Sequence, residues 1–531
     1  MPTPGEPAPA RVDVRLVPAA LTGWVVTAAG IVWPVGRALA WCCVVLLAAA
    51  GVLACYAAGH SGAYPRLRAF SAGLLAVAVV GTGFGFAIAL RCDALARHPI
   101  AAAFGTAAPV TVTPTESPVP LGSARLMFRA DLVRVRADDM SGRVVVFARA
   151  SDFGDVMVGQ PVRFTARIGR PGRHDLTVAV LNASGRPTVG TAGAVQRAAH
   201  AVRMRFAAAA RDALPAAQGA MLPALVLGDT SAVTAEIGRE FRAAGMTHLT
   251  AVSGANVTIV CAAVLFSARL LGPRAAVALA AVALVAFVIV VQPTASVLRA
   301  AVMGAITLAG MLSARRRQAV PALAATVLVL VALAPQLAVD VGFALSVLAT
   351  AALVVIAPAW SRRLVARGWP RTAADAFAVA WAAHAVTAPL VAGISGRVSL
   401  VAAGANLAVA PVIAPITVLG TAGAALDPLW PAGARLLIRF TGPELWWVLG
   451  VARWAAAVPA ASVPVPSGAA GVLVVGGATA MLAVSVVLLG RRRRFRVAAG
   501  YAGGLLVLCL LAWSLSGLVG PWSQSRDTIV G

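Results

Sequence analysis

Apolar runs long enough to span a bilayer recur along this chain and constrain its fold more than any other feature. They fall at about 19–36, 38–59 and 70–90. After a long polar gap they return at about 249–271, 275–291, 295–313, 319–335, 340–360, 374–395, 398–426, 441–458, 468–489 and 497–519. A hydrocarbon core about 30 Å thick needs about 20 apolar residues in helical form, because only a helix or a closed barrel satisfies its backbone where no water reaches. The 531 residues are 60% hydrophobic and 12% charged, too little charge to clothe a soluble core of that size. The expected fold is a polytopic α-helical membrane protein with about thirteen transmembrane helices.

The few charges are informative. All 44 basic residues are Arg, against 19 acids, for a net charge of +25. That excess implies anionic partners, either lipid head groups or nucleic acid. Arg also alternates between the short loops. One set holds Arg11/Arg15, Arg66/Arg68, Arg269/Arg274, Arg315 to Arg317, Arg362/Arg363/Arg367/Arg371, Arg435/Arg439, and Arg491 to Arg494 with Arg496; the other holds Arg37, Arg397 and Arg526. Arg-rich short loops stay inside, so the N-terminus is expected in the cytoplasm, with the polar segment and the C-terminus outside. Arg11 and Arg15 precede an apolar run with no small-residue cleavage site close behind, which reads as a retained helix rather than a removed signal peptide. The six cysteines show no metal-ligand spacing, and no cofactor is expected.

Five segments are expected: N-terminal transmembrane helices at 1–90, an external domain at 91–195, amphipathic surface helices at 196–245, a transmembrane domain at 246–520 and a short tail at 521–531. The external domain opens on a Pro/Thr-rich linker near Pro109 to Pro120. Alternating runs at 126–132, 144–147, 162–168 and 176–181 follow, punctuated by Gly154, Gly159, Gly169 and Gly172, as short strands of a small OB-like barrel would be. Between Arg91 and Gly245 there are nineteen Arg and twelve acids. Arg134/Arg136 and Arg163/Arg167 have the even spacing that puts each pair on one strand face, a basic track suited to single-stranded nucleic acid. A solvated sheet face is the plainer alternative. Stacking platforms are few (Phe128, Phe147, Phe153 and Phe164), and some of these must fill the core.

The polar residues crowd most densely just before the second series of spans, in LGDTSAVTAEIGREFRAAGMTHLTAVSGANV from Leu227 to Val257. Gly228-Asp229, Phe241, Gly245 and the HLTAVSGANV run resemble the competence domain of the ComEC family, inner-membrane proteins that import DNA during natural transformation. PTASVLRAAVM (293–303), DVGFALSVLA (340–349) and APLVAGISGRVSLVAAGANLAVAP (388–411) are similar to three further blocks of that family. Ala344 and His384 stand where the family often has Gln. The resemblance implies an inner-membrane channel for single-stranded DNA in a bacterial cell, served by a ComEA-type DNA receptor and a cytoplasmic helicase-like ATPase. The expected partners are thus single-stranded DNA, membrane lipids, those two proteins and a second copy of the chain in a homo-oligomer. The metallo-β-lactamase-like domain that ends full-length relatives, with its H-x-H-x-D-H motif, is expected to be lacking.

Candidate residues for the DNA path are Asp229, His248, Ser253, Asn256, Arg299 and Asn406. His248 is expected at the outer end of the fourth span, with Ser253 and Asn256 one and two turns deeper on one polar stripe. Helix–helix hydrogen bonding is the alternative for Ser253. An Arg at a helix centre costs about 2.5–3.5 kcal/mol on insertion scales, so Arg299 should meet an acid or face a phosphate. Asp340 could be that acid, but its place before Val341-Gly342-Phe343 also suits a helix N-cap. Asn406, followed by Pro411 and Pro415, marks a helix expected to be broken, and broken helices often line transport sites. A membrane hydrolase using Asp229, His248 and Ser253 is an alternative function, although no G-x-S-x-G elbow supports it; a related channel for another anionic polymer is another. No G-x-x-x-x-G-K-[ST] loop occurs, so ATP hydrolysis by that route is not expected, and with the H-x-H-x-D-H motif lacking no nuclease activity is expected either.

Overall fold

A computed structural model describes residues 13–33, 35–59, 65–122, 124–292, 294–312 and 319–489. The expected span at 497–519, the tail, Cys509, Arg11, Arg315 to Arg317, Arg491 to Arg494, Arg496 and Arg526 lie outside the described residues.

The chain begins with helices α1 (Val17–Val32), α2 (Gly36–Gly59) and α3 (Pro65–Ala96). Strands β1 (Ala107–Pro114), β2 (Val119–Leu121), β3 (Arg125–Val135) and β4 (Asp138–Arg149) come next, then the single turn α4 (Ala150–Phe153), β5 (Val162–Gly169) and β6 (Thr177–Val189). Helices α5 (Ala194–Ala213), α6 (Ala216–Leu227) and α7 (Ala235–Ala243) lead into α8 (Gly254–Ser267), α9 (Pro273–Val291), α10 (Ala295–Leu312) and α11 (Ala319–Leu333). Then come α12 (Val341–Ala351), α13 (Ala357–Val365), α14 (Arg371–Ser395), strand β7 (Arg397–Ser399), α15 (Ala402–Leu426), α16 (Pro431–Phe440), α17 (Gly442–Ala457), strand β8 (Ser462–Pro464) and α18 (Gly468–Leu489). A π-helical turn at Ala352–Ile356 joins α12 to α13.

The chain is mostly helical, and eight helices among the described residues are long and apolar enough to cross a membrane. Thirteen is therefore more than these residues carry at full length. Val17–Val32, Ala295–Met311 and Ala319–Leu333 are apolar but shorter, and at 1.5 Å per residue they reach only about 24 Å. The expected run at 441–458 is the 16-residue α17, which carries Glu444 and Arg453.

Two compact units divide the chain. One comprises residues 1–205 with 253–347, the other 206–252 with 348–531. In the first unit, five strands close a small barrel. β1 pairs antiparallel with both β3 and β5, β3 with β4, β5 with β6, and the ring closes through the parallel pair β4–β6. β2 adds to β3. The Pro/Thr-rich segment expected as a linker thus forms β1 and β2. Its Thr and Val residues alternate as a strand requires, and Pro109 and Pro114 leave the pairing intact by offering only carbonyls, which Arg136 N and Gly159 N occupy at 2.8 Å. Alternate residues point inward, and Phe128, Phe153 and Phe164 fill the core, the last two edge to face at 5.2 Å.

Elsewhere in this unit Trp24 of α1 donates to Ala338 O at 2.8 Å and packs edge-on against Phe343. Arg203 of α5 is buried, and its guanidinium reaches the last carbonyls of α9, Val290 O at 3.2 Å and Val291 O at 3.5 Å. Those carbonyls have no partner within their own helix, so a cation there is doubly favoured.

In the second unit, α7 is amphipathic, but α6 is not the surface helix expected of 196–245. Nine of its twelve residues are buried because it is apolar all round. α15 is likewise one continuous helix, not a broken one, although Pro411 and Pro415 lie inside it. Trp447 Nε1 donates to Ala408 O at 2.9 Å, one residue past the Leu407 carbonyl that Pro411 has no N–H to meet, and membrane helices tolerate such prolines without breaking.

Candidate functional site

α8 begins at Gly254 and not at residue 249. Ser253 is its N-cap, with extended backbone (φ −95°, ψ 164°), and His248 lies outside the helix in a short 3-10 turn, Thr247–Leu249. The expected stripe of helical residues from 249 to 256 therefore does not form. The Ser253 hydroxyl donates to Asn256 Oδ1 at 3.2 Å, and the Asn256 side chain is buried.

α10 packs on α8 and carries Ser296, Arg299 and Met303 on one face at helical spacing. Arg299 is 7% exposed. Its Nε donates to Ser346 Oγ of α12 at 2.6 Å and its Nη1 contacts Met303 Sδ at 3.3 Å, while Ser296 Oγ and Ser346 Oγ are 3.1 Å apart. Gly254 makes this arrangement possible, since a Cβ there would lie 2.5 Å from Arg299 Nη2. The guanidinium therefore rests against the first residue of α8, where the helix already carries partial positive charge.

Among the described residues no carboxylate forms an ion pair with Arg299. Asp340 is otherwise engaged, its Oδ1 accepting from Phe343 N at 2.7 Å as the cap of α12. A buried cation and a helix N-terminus thus reinforce one another with no acid to balance them, and an anion would be held there by both. Ser296, Ser346 and Gly254 belong to this cluster but were not singled out in the sequence. Ser296, three residues before Arg299, and the serine of DVGFALSVLA were the available signals.

The second unit holds Asp229, His248 and Asn406. α6 stops at Gly228, whose left-handed φ of 70° only glycine adopts freely. Asp229 follows, its Oδ1 accepting from Ser231 N at 3.1 Å in a tight turn. His248 is exposed. Between them Gly245, also left-handed at φ 69°, sits so close to α15 that a Cβ would lie 2.4 Å from Ala402 Cβ. Ser399 Oγ donates to Ala243 O at 3.0 Å, and Asn406 Nδ2 bonds Ala402 O at 2.8 Å with Gly245 O at 3.5 Å. The Gly245 turn and Asn406, far apart in sequence, are brought together, and Asn406 Oδ1 is buried without a hydrogen-bond partner. No hydrogen bond links Asp229 to His248, and Ser253 is committed to Asn256.

On the barrel, Arg134 is tied to Asp139 by a 2.8 Å hydrogen bond, and Arg136 lies past the end of β3 with φ 56°. These two do not share a strand face as their spacing suggests, because a bulge between Leu132 and Arg134 shifts the register and the hairpin turn takes Arg136 out of the strand. Arg163 and Arg167 do lie together on the outer face of β5.

Residues 225–492 match the family model described as Competence protein. The chain belongs to the competence-protein family. The matched competence region opens within α6, includes every helix from α7 to α18, and holds Asp229, His248, Ser253, Asn256, Arg299 and Asn406. It also holds Ser296 and Ser346, so the whole polar cluster about Arg299 is part of the competence domain. Neither a curated protein nor a solved structure matches the chain.

Proposed function

We propose that this competence protein is an inner-membrane channel that carries single-stranded DNA from outside to the cytoplasm. The observation that carries the reading is Arg299, a guanidinium buried in an apolar bundle against the N-terminus of α8 with no carboxylate to neutralise it among the described residues. Such a group is costly unless an anion visits it, and a DNA strand offers a phosphate at every step. Ser253, Asn256, Ser296 and Ser346 extend the same polar surface, and the unpaired Oδ1 of Asn406 suits a helix facing a wet path.

In this reading the bundle has about thirteen spans with the N-terminus in the cytoplasm, as the Arg alternation favours. The external barrel is of the OB type. Its ring of four antiparallel pairs closed by one parallel pair supports that assignment, and OB barrels hold single strands on their outer face. A ComEA-type receptor delivers the strand and a helicase-like ATPase draws it in, since the chain has no nucleotide-hydrolysing loop of its own.

Uptake per molecule in cells carrying Arg299 variants tests this. A charged hydrogen bond is worth about 1.5–3 kcal/mol, so Arg299→Ala should lower transport at least tenfold with the protein still inserted. Arg299→Lys keeps the charge but not the planar fork and should fall between. Normal uptake per molecule in Arg299→Ala, with poor insertion, would make Arg299 a structural residue and remove the reading's main support.

A further inference from the structure

The four phenylalanines of the barrel do not share one fate. Phe128, Phe153 and Phe164 are buried in the core, but Phe147 points the other way. On β4 the inward residues are Val144, Val146 and Ala148, so Val145, Phe147 and Arg149 face outward. The pairing then runs a row of outward residues across four strands. Arg167 of β5 lies beside Asn182 of β6, Asn182 beside Phe147, and Phe147 beside Met127 of β3. Arg125 and Arg149 pair in the next row.

Of these, Arg125, Phe147, Arg149 and Asn182 line a concavity of 520 Å³, together with Ser151. That volume lies within the range of small-ligand sites. The Arg125 guanidinium lies over the Phe147 ring, 5.8 Å from its centre, a cation–π contact that biases the site towards an anion and gives way when a base takes its place on the ring. Among the described residues neither Arg125 nor Arg149 is ion-paired. The nearby Asp152 is 3.9 Å from Arg186 instead. This contrasts with the arginines that spacing suggests, of which Arg134 is neutralised by Asp139.

We propose that this groove binds one nucleotide unit of a single strand, the base stacked on Phe147 and the flanking phosphates held by Arg125 and Arg149, with Arg167 continuing the track along the same row. An aromatic ring accepts any base because every base has a π face, and two guanidiniums with no carboxylate partner among the described residues provide for the backbone. Asn182, with one donor amide and one acceptor oxygen, is placed to meet a base edge without selecting one base. The site rests on the reading that the strand meets the barrel before the bundle, but it is carried by Phe147 and not by Arg299.

The test uses the full chain in detergent, a fluorescent twelve-residue oligothymidylate, and an abasic oligomer with the same phosphates. The wild type should prefer the thymidylate. Phe147→Ala and Phe147→Leu should lose about 5- to 100-fold for it, the worth of one stacked base, and bind both oligomers alike, whereas Phe147→Trp should retain the preference. Arg125→Ala and Arg149→Ala should weaken both oligomers equally, each flattening the salt dependence by about 0.7 in log–log slope. Unchanged thymidylate binding in Phe147→Ala, or equal loss in the Trp and Ala variants, would overturn the groove and leave the channel reading intact. A wild-type chain that binds neither oligomer overturns the groove too, while the Arg299 uptake series decides the channel separately.

Discussion

Replacing Gly254 with Ala would put a methyl carbon 2.5 Å from Nη2 of Arg299 and 3.4 Å from Cβ of Ala300. Carbon sits comfortably at about 3.5 Å or more, so the guanidinium must withdraw by about 1 Å. Its Nε is held by Ser346 Oγ at 2.6 Å, and a movement of that size stretches the bond beyond hydrogen-bonding distance. The loss of a charged hydrogen bond costs about 1.5–3 kcal/mol, and the better helix propensity of Ala returns up to about 1 kcal/mol. The net expectation is a loss of about 0.5–3 kcal/mol, read as unfolding free energy in detergent, together with reduced uptake per molecule. The decisive arm is a double-mutant cycle. In an Arg299→Ala background the methyl meets no guanidinium, so Gly254→Ala should be neutral or slightly stabilising, with the coupling appearing as the difference. Equal costs in both backgrounds would mean that the methyl strikes something other than Arg299 and would refute the packing of this cation on α8.

Arg203→Met should destabilise the protein by about 1.5–3 kcal/mol by stripping the last carbonyls of α9 of their charged partner, measured by thermal unfolding; an unchanged Tm would show the cap to be dispensable. Burial raises the Glu240 carboxyl above its ordinary range, Glu236 adds to the shift, and Arg453 opposes it. A raised acid favours the folded state fully only below its unfolded value, about 4.3, and loses that contribution as pH rises through the folded value. Glu240→Gln should therefore raise Tm at pH 7 and leave it unchanged near pH 4, the opposite trend refuting the assignment. Reporters fused after residues 317 and 494 should behave as cytoplasmic and one inserted near Gly142 as external, and reversed sides would turn the direction of transport around. If the chain acts as a channel alone, the purified protein should leave single-stranded and duplex DNA uncut in Mn²⁺, Mg²⁺ or Zn²⁺, whereas cleavage that is lost in His248→Ala would favour the hydrolase alternative.

Much of this protein is legible in one dimension. Membrane spans are continuous and apolar, so the places of eight follow from local composition, and four of the five barrel strands fall on runs of strand-forming residues. Asp340 is likewise legible as a cap, because capping depends on a bond three residues away. The competence blocks are local strings too. Errors arise where local signals compete. Proline near residues 109–120 masks two strands, and Pro411 and Pro415 suggest a break that α15 does not have, because membrane helices tolerate interior proline.

Spacing alone places Ser253 and Asn256 on a helical stripe and Arg134 with Arg136 on one strand face. It cannot register that the helix starts only at Gly254 and leaves Ser253 outside it, or that a bulge and a turn separate the two arginines. Nor can it say which of four phenylalanines faces out, since that depends on how strands register around a closed ring. Arg299 is visible as an expensive residue in an apolar run, but its surroundings are not. Only packing brings Ser346 and the bare backbone of Gly254 to its side while Asp340 caps another helix. Local propensity acts over a few residues, whereas the field at a buried charge is set by whatever the fold carries within several ångströms of it, from any point in the chain.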